Sequence, residues 1–373
     1  MCPDRRGSPS IQRLSGTSVV AAERRVIVPH VPERHPADSR DLPVVGGATT
    51  HTPLVQVVDV LIATTGRAHE ATEQDYDRHP PVASSGPFDL GHGVRIEQLT
   101  ADDAELVMNA CGPRGHYFIP ARQFGERYSY MYEPSEASWQ QNPYGWDPEQ
   151  RINAAMHLSR LVKDNSDSME FAARIYIHED GERQVVPRHD CELGRAYSLH
   201  NGRDWLDDYE ATQLRALLDT YWSVADELPD RVVRALRRTS SLVTERWVDD
   251  RLTEITVALE SLVNAGSARV SRQFKDRVTA LGAELQVPNV SRSWAQKMYN
   301  ARSSGLHGGD VQLFADAGPQ RTKAIEYVIR LEDVLRRAVR RCIEDPAFRA
   351  HFADDAAVMA WRPVPEAPHG QLR

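Results

Sequence analysis

The chain has 373 residues, 41% hydrophobic and 26% charged, which supports a packed core in two to three domains and excludes wholesale disorder. Lys and Arg number 45 against 53 Asp and Glu, a net charge of −8 that excludes a uniformly basic nucleic-acid coat protein and leaves room for a local basic patch. The four cysteines (Cys2, Cys111, Cys191, Cys342) lie far apart and form no CxxC pair, so neither a disulfide framework nor a Cys-based zinc site is expected.

No uncharged apolar run reaches the roughly 18 residues of a membrane span. Arg5 and Arg6 are followed by no clean apolar stretch, because Glu23, Arg24 and Arg25 interrupt it, and no signal peptide is read. The cytoplasm is the expected compartment.

Residues 1–85 are rich in Pro, Arg, Ser, Thr and His. They read as a disordered or loosely ordered N-terminal segment, with a strand over Leu54–Ile62. Residues 86–203 read as a smaller mixed α/β domain. Val94–Leu99 and Arg127–Glu133 alternate like strands. A helix begins near Asp102 and runs to about Asn109, and a second opens at Pro148 with Ile152, Ala155, Met156, Leu158 and Leu161 on one face. Phe171–His178 and Arg183–Val186 flank Glu179-Asp180-Gly181-Glu182, a hairpin turn.

From Asp204 the pattern is all-helical, and 204–350 reads as a helical bundle. Leu214, Leu217, Leu218 and Tyr221 share one helix face, and Pro229 starts the next helix. Leu252, Ile255, Leu259 and Leu262 mark a third over about 248–264. Phe274 to Leu285 is a fourth and Trp294 to about Ser303 a fifth. The last, about 320–343, spaces Ala324, Val328, Leu331, Leu335, Ala338 and Cys342 along one side. Residues 351–373 read as a flexible tail. The fold class expected is thus α+β, an all-α bundle preceded by a smaller α/β domain. Residues 231–350 carry 21 Lys and Arg against 14 Asp and Glu, net +7, so a basic bundle follows an acidic middle.

The segment with chemistry in it is Met298-Tyr299-Asn300-Ala301-Arg302-Ser303-Ser304-Gly305-Leu306-His307-Gly308-Gly309-Asp310. Its three glycines suit a helix end and close approach of backbone to a ligand. Arg302 and His307 are five apart, about 500° of helical rotation, which leaves them roughly 140° apart in an unbroken helix. They converge only if the helix breaks or a second copy of the chain contributes. A permanent guanidinium beside an imidazole that titrates near neutrality suits phosphodiester chemistry.

These residues resemble the HEPN domain family, a helical bundle marked by Arg, four to six residues, then His. The likeness is to its Apea-like branch: Ala258-Leu259-Glu260-Ser261-Leu262 and, about forty residues on, Tyr299-Asn300-Ala301-Arg302-Ser303 with His307-Gly308. It covers about 205–350, and Ser303 departs from the Asn, Asp or His that many members have after the Arg. The resemblance implies a metal-independent endoribonuclease with no cofactor, or an RNA-binding relative; in catalytic members, acting on RNA, the two Arg/His pairs of a homodimer meet in one cleft. His307 would serve as general acid or base and Arg302 would stabilise charge on phosphorus. Ser303 and Tyr299 would orient Arg302 or the phosphate, and Glu260 would orient one of the pair from a neighbouring helix. Products would be a 2′,3′-cyclic phosphate and a 5′-hydroxyl. Such domains often act as toxins or as effectors of defence against phage.

Other constellations carry blander readings. Arg336, Arg337, Arg340 and Arg341 form a charged helix face, a candidate for RNA contact that carries no sequence information of its own. The spacings of His178, His189, Cys191 and His200 match no standard zinc pattern, so no metal site is expected. Asp204, Asp207, Asp208 and Glu210 suit the first turn of a helix, where its dipole favours acids. Tyr128, Tyr130 and Tyr132 suit one face of a strand. Two functions follow: a dimeric ribonuclease with 86–203 as a sensor or substrate-selecting domain that also offers a surface to a regulatory partner, or a non-catalytic helical module that holds RNA, a nucleotide or a protein. No membrane partner is expected.

Overall fold

A computed structural model describes residues 54–64, 87–98, 100–111, 128–132, 148–163, 168–187, 206–242, 245, 248–306 and 319–363. The described residues belong to one compact unit, Leu42–Arg373. Among the described residues the structure is mostly helical with one antiparallel sheet, an α+β fold.

The strands are β1 (Leu54–Thr64), β2 (Phe88–Gly91), β3 (Val94–Gln98), β4 (Tyr128–Tyr132), β5 (Ser168–His178) and β6 (Arg183–Pro187), in the order β2-β3-β4-β1-β5-β6. β1 is nearly continuous in Val, Leu and Ile, the composition of an interior strand. It pairs on one side with β4, Asp59 opposite Tyr132, and on the other with β5, Val60 opposite Ala173. The segment read as a loosely ordered N-terminus therefore supplies the inner strand of the sheet.

β2 is not legible in the sequence. It pairs with β3 through a two-residue loop, His92-Gly93, with φ of 54° and 77°. Two positive φ values in succession are what a tight hairpin turn requires, and His takes one of them here in place of the usual Asn or Asp. The β5–β6 turn forms at Glu179-Asp180-Gly181-Glu182 as the sequence predicts, with Gly181 at φ 83°.

Helices α1 (Ala101–Cys111) and α2 (Pro148–Val162) pack on the sheet, α1 on β5 and β6 and α2 on β3 and β4. The bundle follows as α3 (Asp208–Val224), α4 (Asp230–Ser241), α5 (Val248–Val263), α6 (Val270–Glu284), α7 (Arg292–Leu306) and α8 (Pro319–Glu344). Asp207 caps α3 in a reciprocal box: its carboxylate accepts from Glu210 N at 2.7 Å, and its own N–H donates to Glu210 Oε2 at 2.9 Å. α5 and α8 form the centre, α5 packing on α4, α6, α7 and α8.

One core joins these parts. Leu90, Val94 and Ile96 of the sheet, Ile152, Met156 and Leu158 of α2, and Leu214, Leu217 and Leu218 of α3 belong to the same buried cluster as Leu252, Ile255 and Leu259 of α5. α2 is the bridge, touching the sheet on one side and α3, α4 and α8 on the other.

The chain beyond 344 is also built into this core. Asp345 caps α9 (Pro346–Ala350), and Asp354 caps α10 (Asp355–Trp361). Phe348, Phe352, Val358 and Trp361 are buried. The flexible tail expected from 351 thus gives way to a packed helix up to Trp361, because four large apolar side chains gain more from burial than the short segment loses in chain entropy.

Buried arginines hold the elements in register. Arg251 of α5 makes a two-pronged pair with Glu332 of α8, Nε to Oε2 at 2.9 Å and Nη2 to Oε1 at 2.7 Å. Arg277 donates to Val263 O at 2.6 Å and Arg362 O at 3.0 Å, and Arg231 donates to Leu262 O at 3.1 Å. Together they cap the carbonyl end of α5, where cations are favoured. Arg231 also pairs with Asp355, tying α10 to that end.

Candidate active site

Arg302 and Tyr299 sit near the C-terminal end of α7, and Glu260 near the end of α5, which packs against it. Trp294, Ala295 and Met298 are the buried stripe of α7, and Arg302 follows Met298 by four positions, so it shares that inward face. The same register on α5 sets Glu260 beside the buried Leu259 and at the edge of the interface.

Arg302 Nη2 lies 3.0 Å from Glu260 Oε2. The two side chains retain 20% and 15% of their exposure, so the pair is largely shielded from water and stronger than a surface one. The Arg302 guanidinium lies 5.9 Å from the Tyr299 ring centroid, and Tyr299 packs in turn on Phe274 of α6 at 5.2 Å. Burial raises the Tyr299 phenol above its ordinary value; the Glu260 charge and a hydrogen bond to Glu260 add to this, and Arg302 opposes it. Tyr299 and Arg302 thus converge on one carboxylate. Arg302 Nε is buried and has no hydrogen-bond partner among the described residues.

Ser303 is half-buried on the same turn of α7. The helix continues through Gly305 to Leu306, three residues beyond the end expected from the glycines. His307 and its flanking glycines Gly308 and Gly309 lie outside the described residues. So do His189, Cys191, His200 and Asp204, and nothing of the Tyr128, Tyr130 and Tyr132 side chains is described.

The basic face of α8 is engaged within the fold. Arg336 and Arg337 lie 3.8 and 3.0 Å from Asp333, Arg340 lies 2.9 Å from Glu344, and Arg341 lies 3.4 Å from Asp345. Arg337 and Arg341 also donate to Leu285 O and Glu284 O at the end of α6, and Arg340 donates to Gln213 of α3 at 3.0 Å. Each of the four thus sits beside a carboxylate of its own neighbourhood, and three of them tie α8 to another helix.

The structure adds a second polar contact that the sequence does not announce. His92 Nε2 lies 2.9 Å from Asp219 Oδ1, docking the β2–β3 turn on α3, with Arg151 stacked on the adjacent Trp222 at 4.1 Å. The signal in the sequence is the Gly91-His92-Gly93 triplet, which marks a turn without saying what it meets.

No group of three or more metal-binding side chains occurs among the described residues. No helix among them is long and apolar enough to cross a membrane. Comparison with known protein families, with curated proteins and with solved structures finds no match to this chain.

Proposed function

We propose that the chain is a metal-independent endoribonuclease of the HEPN type, working as a homodimer with Arg302 and His307 in a composite site. The observation that carries this reading is the Glu260–Arg302 pair at 3.0 Å. It joins the two sequence blocks on which the HEPN resemblance rests, Ala258–Leu262 and Tyr299–Ser303, at one point in space. In this reading Glu260 fixes one guanidinium nitrogen, so Arg302 meets the phosphate in a set orientation rather than as a mobile side chain. Tyr299 buttresses it from the side. His307, five positions on, removes the proton from the ribose 2′-hydroxyl or gives one to the departing 5′-oxygen. Arg302 stabilises the charge that builds on the phosphorus oxygens. The bond formed is 2′-O to phosphorus and the bond broken is phosphorus to 5′-O, leaving a 2′,3′-cyclic phosphate. A role as toxin or defence effector in the cytoplasm, with the α/β part selecting substrate or receiving a regulatory partner, belongs to the same proposal.

One observation favours the second reading, a binding module without chemistry. The four arginines of α8 face carboxylates of their own chain, and the net charge is −8. A nuclease that grips a polyanion draws on open basic surface. The test is incubation of the full chain in EDTA with mixed structured and unstructured RNAs. New fragments ending in 2′,3′-cyclic phosphate and 5′-hydroxyl support the nuclease. RNA that is retained but uncut supports the module.

A further inference from the structure

Away from Arg302, an open groove of about 650 Å³ lies between the C-terminal end of α6 and the last helix. That is the size range of small-molecule sites. Ala280 and Ala283 give it a flat, small-residue wall, and Glu284, His351, Trp361 and Arg362 bring the chemistry. His351 stacks on Trp361, with ring centroids 6.0 Å apart at 24°. Glu284 Oε2 is buried and has no hydrogen-bond partner among the described residues. A buried carboxylate oxygen left in this state is costly, and a site that keeps one is suited to a donor from outside.

Arg362 indicates which donor fits. Its guanidinium lies 5.3 Å from the Trp361 ring centroid, and its Nη2 is 3.7 Å from Glu284 Oε2, an ion pair beyond hydrogen-bonding distance. The groove thus holds its own exposed arginine loosely, as a flat group set over an indole with N–H bonds toward a carboxylate. Guanine has the same two properties. Alone among the four common RNA bases it presents two adjacent donors, N1–H and the 2-amino group, on one planar edge. Adenine and cytosine set an acceptor nitrogen beside their amino group, which a carboxylate repels, and uracil flanks its single N–H with two carbonyls.

We infer that this groove binds a guanine base. The Glu284 carboxylate accepts from N1–H and the 2-amino group, and the ring takes the place over Trp361 that the Arg362 guanidinium now holds. Arg362 swings from its present place toward the phosphate. Such pairing of a base edge with a carboxylate beside an aromatic surface is how single-stranded bases and free nucleotides are read. The inference stands apart from the nuclease reading, since it uses none of Glu260, Tyr299, Arg302 or His307.

The test is calorimetric titration of the full chain with GMP, IMP and AMP, and with short single-stranded RNAs that contain or lack guanine. Wild type is compared with Glu284→Gln, whose folding is checked by its melting temperature. GMP is expected to bind at least about tenfold more tightly than AMP, with IMP between them, because a hydrogen bond to a charged acceptor is worth about that factor. Glu284→Gln is expected to remove the preference at unchanged melting temperature. Guanine preference seen with free GMP identifies a nucleotide site. The same preference seen only with RNA identifies a guanine subsite for the strand. Equal affinity for GMP and AMP, no binding in either arm, or a guanine preference that survives Glu284→Gln overturns the inference.

Discussion

Arg302 Nη2 meets Glu260 Oε2 at 3.0 Å across 42 positions of sequence, and Tyr299 hydrogen-bonds to the same carboxylate. The three form a small charged network at the α5–α7 interface, one cation and one phenol sharing one anion. In such networks the geometry of the cation depends on the anion.

Glu260→Gln therefore keeps a hydrogen-bonding group of the same shape but removes the charge. RNA cleavage is expected to fall about tenfold or more while the melting temperature moves little, because orientation of Arg302 is lost before packing is. Tyr299 should also titrate lower in this variant, since the Glu260 charge is one cause that raises it. Tyrosine NMR titration beside a cleavage assay reads both effects. A variant that cuts as well as wild type with Tyr299 unshifted contradicts the role given to Glu260.

The Arg251–Glu332 pair is a structural counterpart, buried and two-pronged. Glu332→Ala removes the buried carboxylate that accepts both prongs of the Arg251 guanidinium and is expected to cost about 3–5 kcal/mol. Replacing both residues, as Arg251→Met with Glu332→Leu, is expected to recover most of that. Urea denaturation of the single and double variants checks this.

His157 on α2 gives the fold an acid-sensitive element. Burial, with the Arg160 charge adding to it, pushes this imidazole down to about 3. Between pH 6.5 and about 3 the unfolded chain binds this proton and the folded one does not. Stability is then full above about pH 6.5, falls by up to about 1.4 kcal/mol per pH unit as the solution is acidified, and levels off near about pH 3. Carboxylates titrate in the same window, so the comparison is wild type against His157→Gln, which should lose part of this slope. Parallel curves for the two proteins would contradict the assignment.

Gly282 is a packing requirement. A Cβ added there would stand too close to both Cβ and Cγ1 of Val290, the side chain under which the end of α6 is tucked. Gly282→Ala is expected to destabilise by about 1–3 kcal/mol, despite alanine's better helix propensity, because overpacking outweighs it. Val290→Gly, which removes the crowding Cβ as well as Cγ1, should relieve the clash, whereas Val290→Ala, which keeps the Cβ, should not, as read by thermal melting.

Much of this architecture is legible in the sequence because periodicity reports which face is buried. Leu252, Ile255, Leu259 and Leu262 of α5, and Val328, Leu331, Leu335 and Cys342 of α8, are buried as their helical spacing predicts. The strand read over Leu54–Ile62 forms as β1, but its proline- and arginine-rich surroundings hide its place inside the sheet, because its partners β4 and β5 stand about 70 to 110 residues away. The elements that stay hidden are short. β2 is four residues long, and α9 and α10 are five and seven, too short for a period to register. Their capping aspartates, Asp345 before Pro346 and Asp354, are the local signals that mark them. At the site, Arg302, Tyr299 and Glu260 are each nameable from motif and register, whereas the carboxylate they share depends on the packing of α5 against α7. Glu284, His351 and Arg362 carry no pattern in sequence and meet only through the turn that brings the last helix back to α6.

The most direct test of the central claim is RNA cleavage in EDTA by the full chain, wild type beside Arg302→Ala and His307→Ala at matched folding. Acid–base catalysis and charge stabilisation typically contribute about 10²–10⁴-fold each, so cleavage should persist in EDTA and fall by at least about 100-fold in either variant. Cleavage that stops in EDTA, or that survives both substitutions, would contradict the assignment of Arg302 and His307.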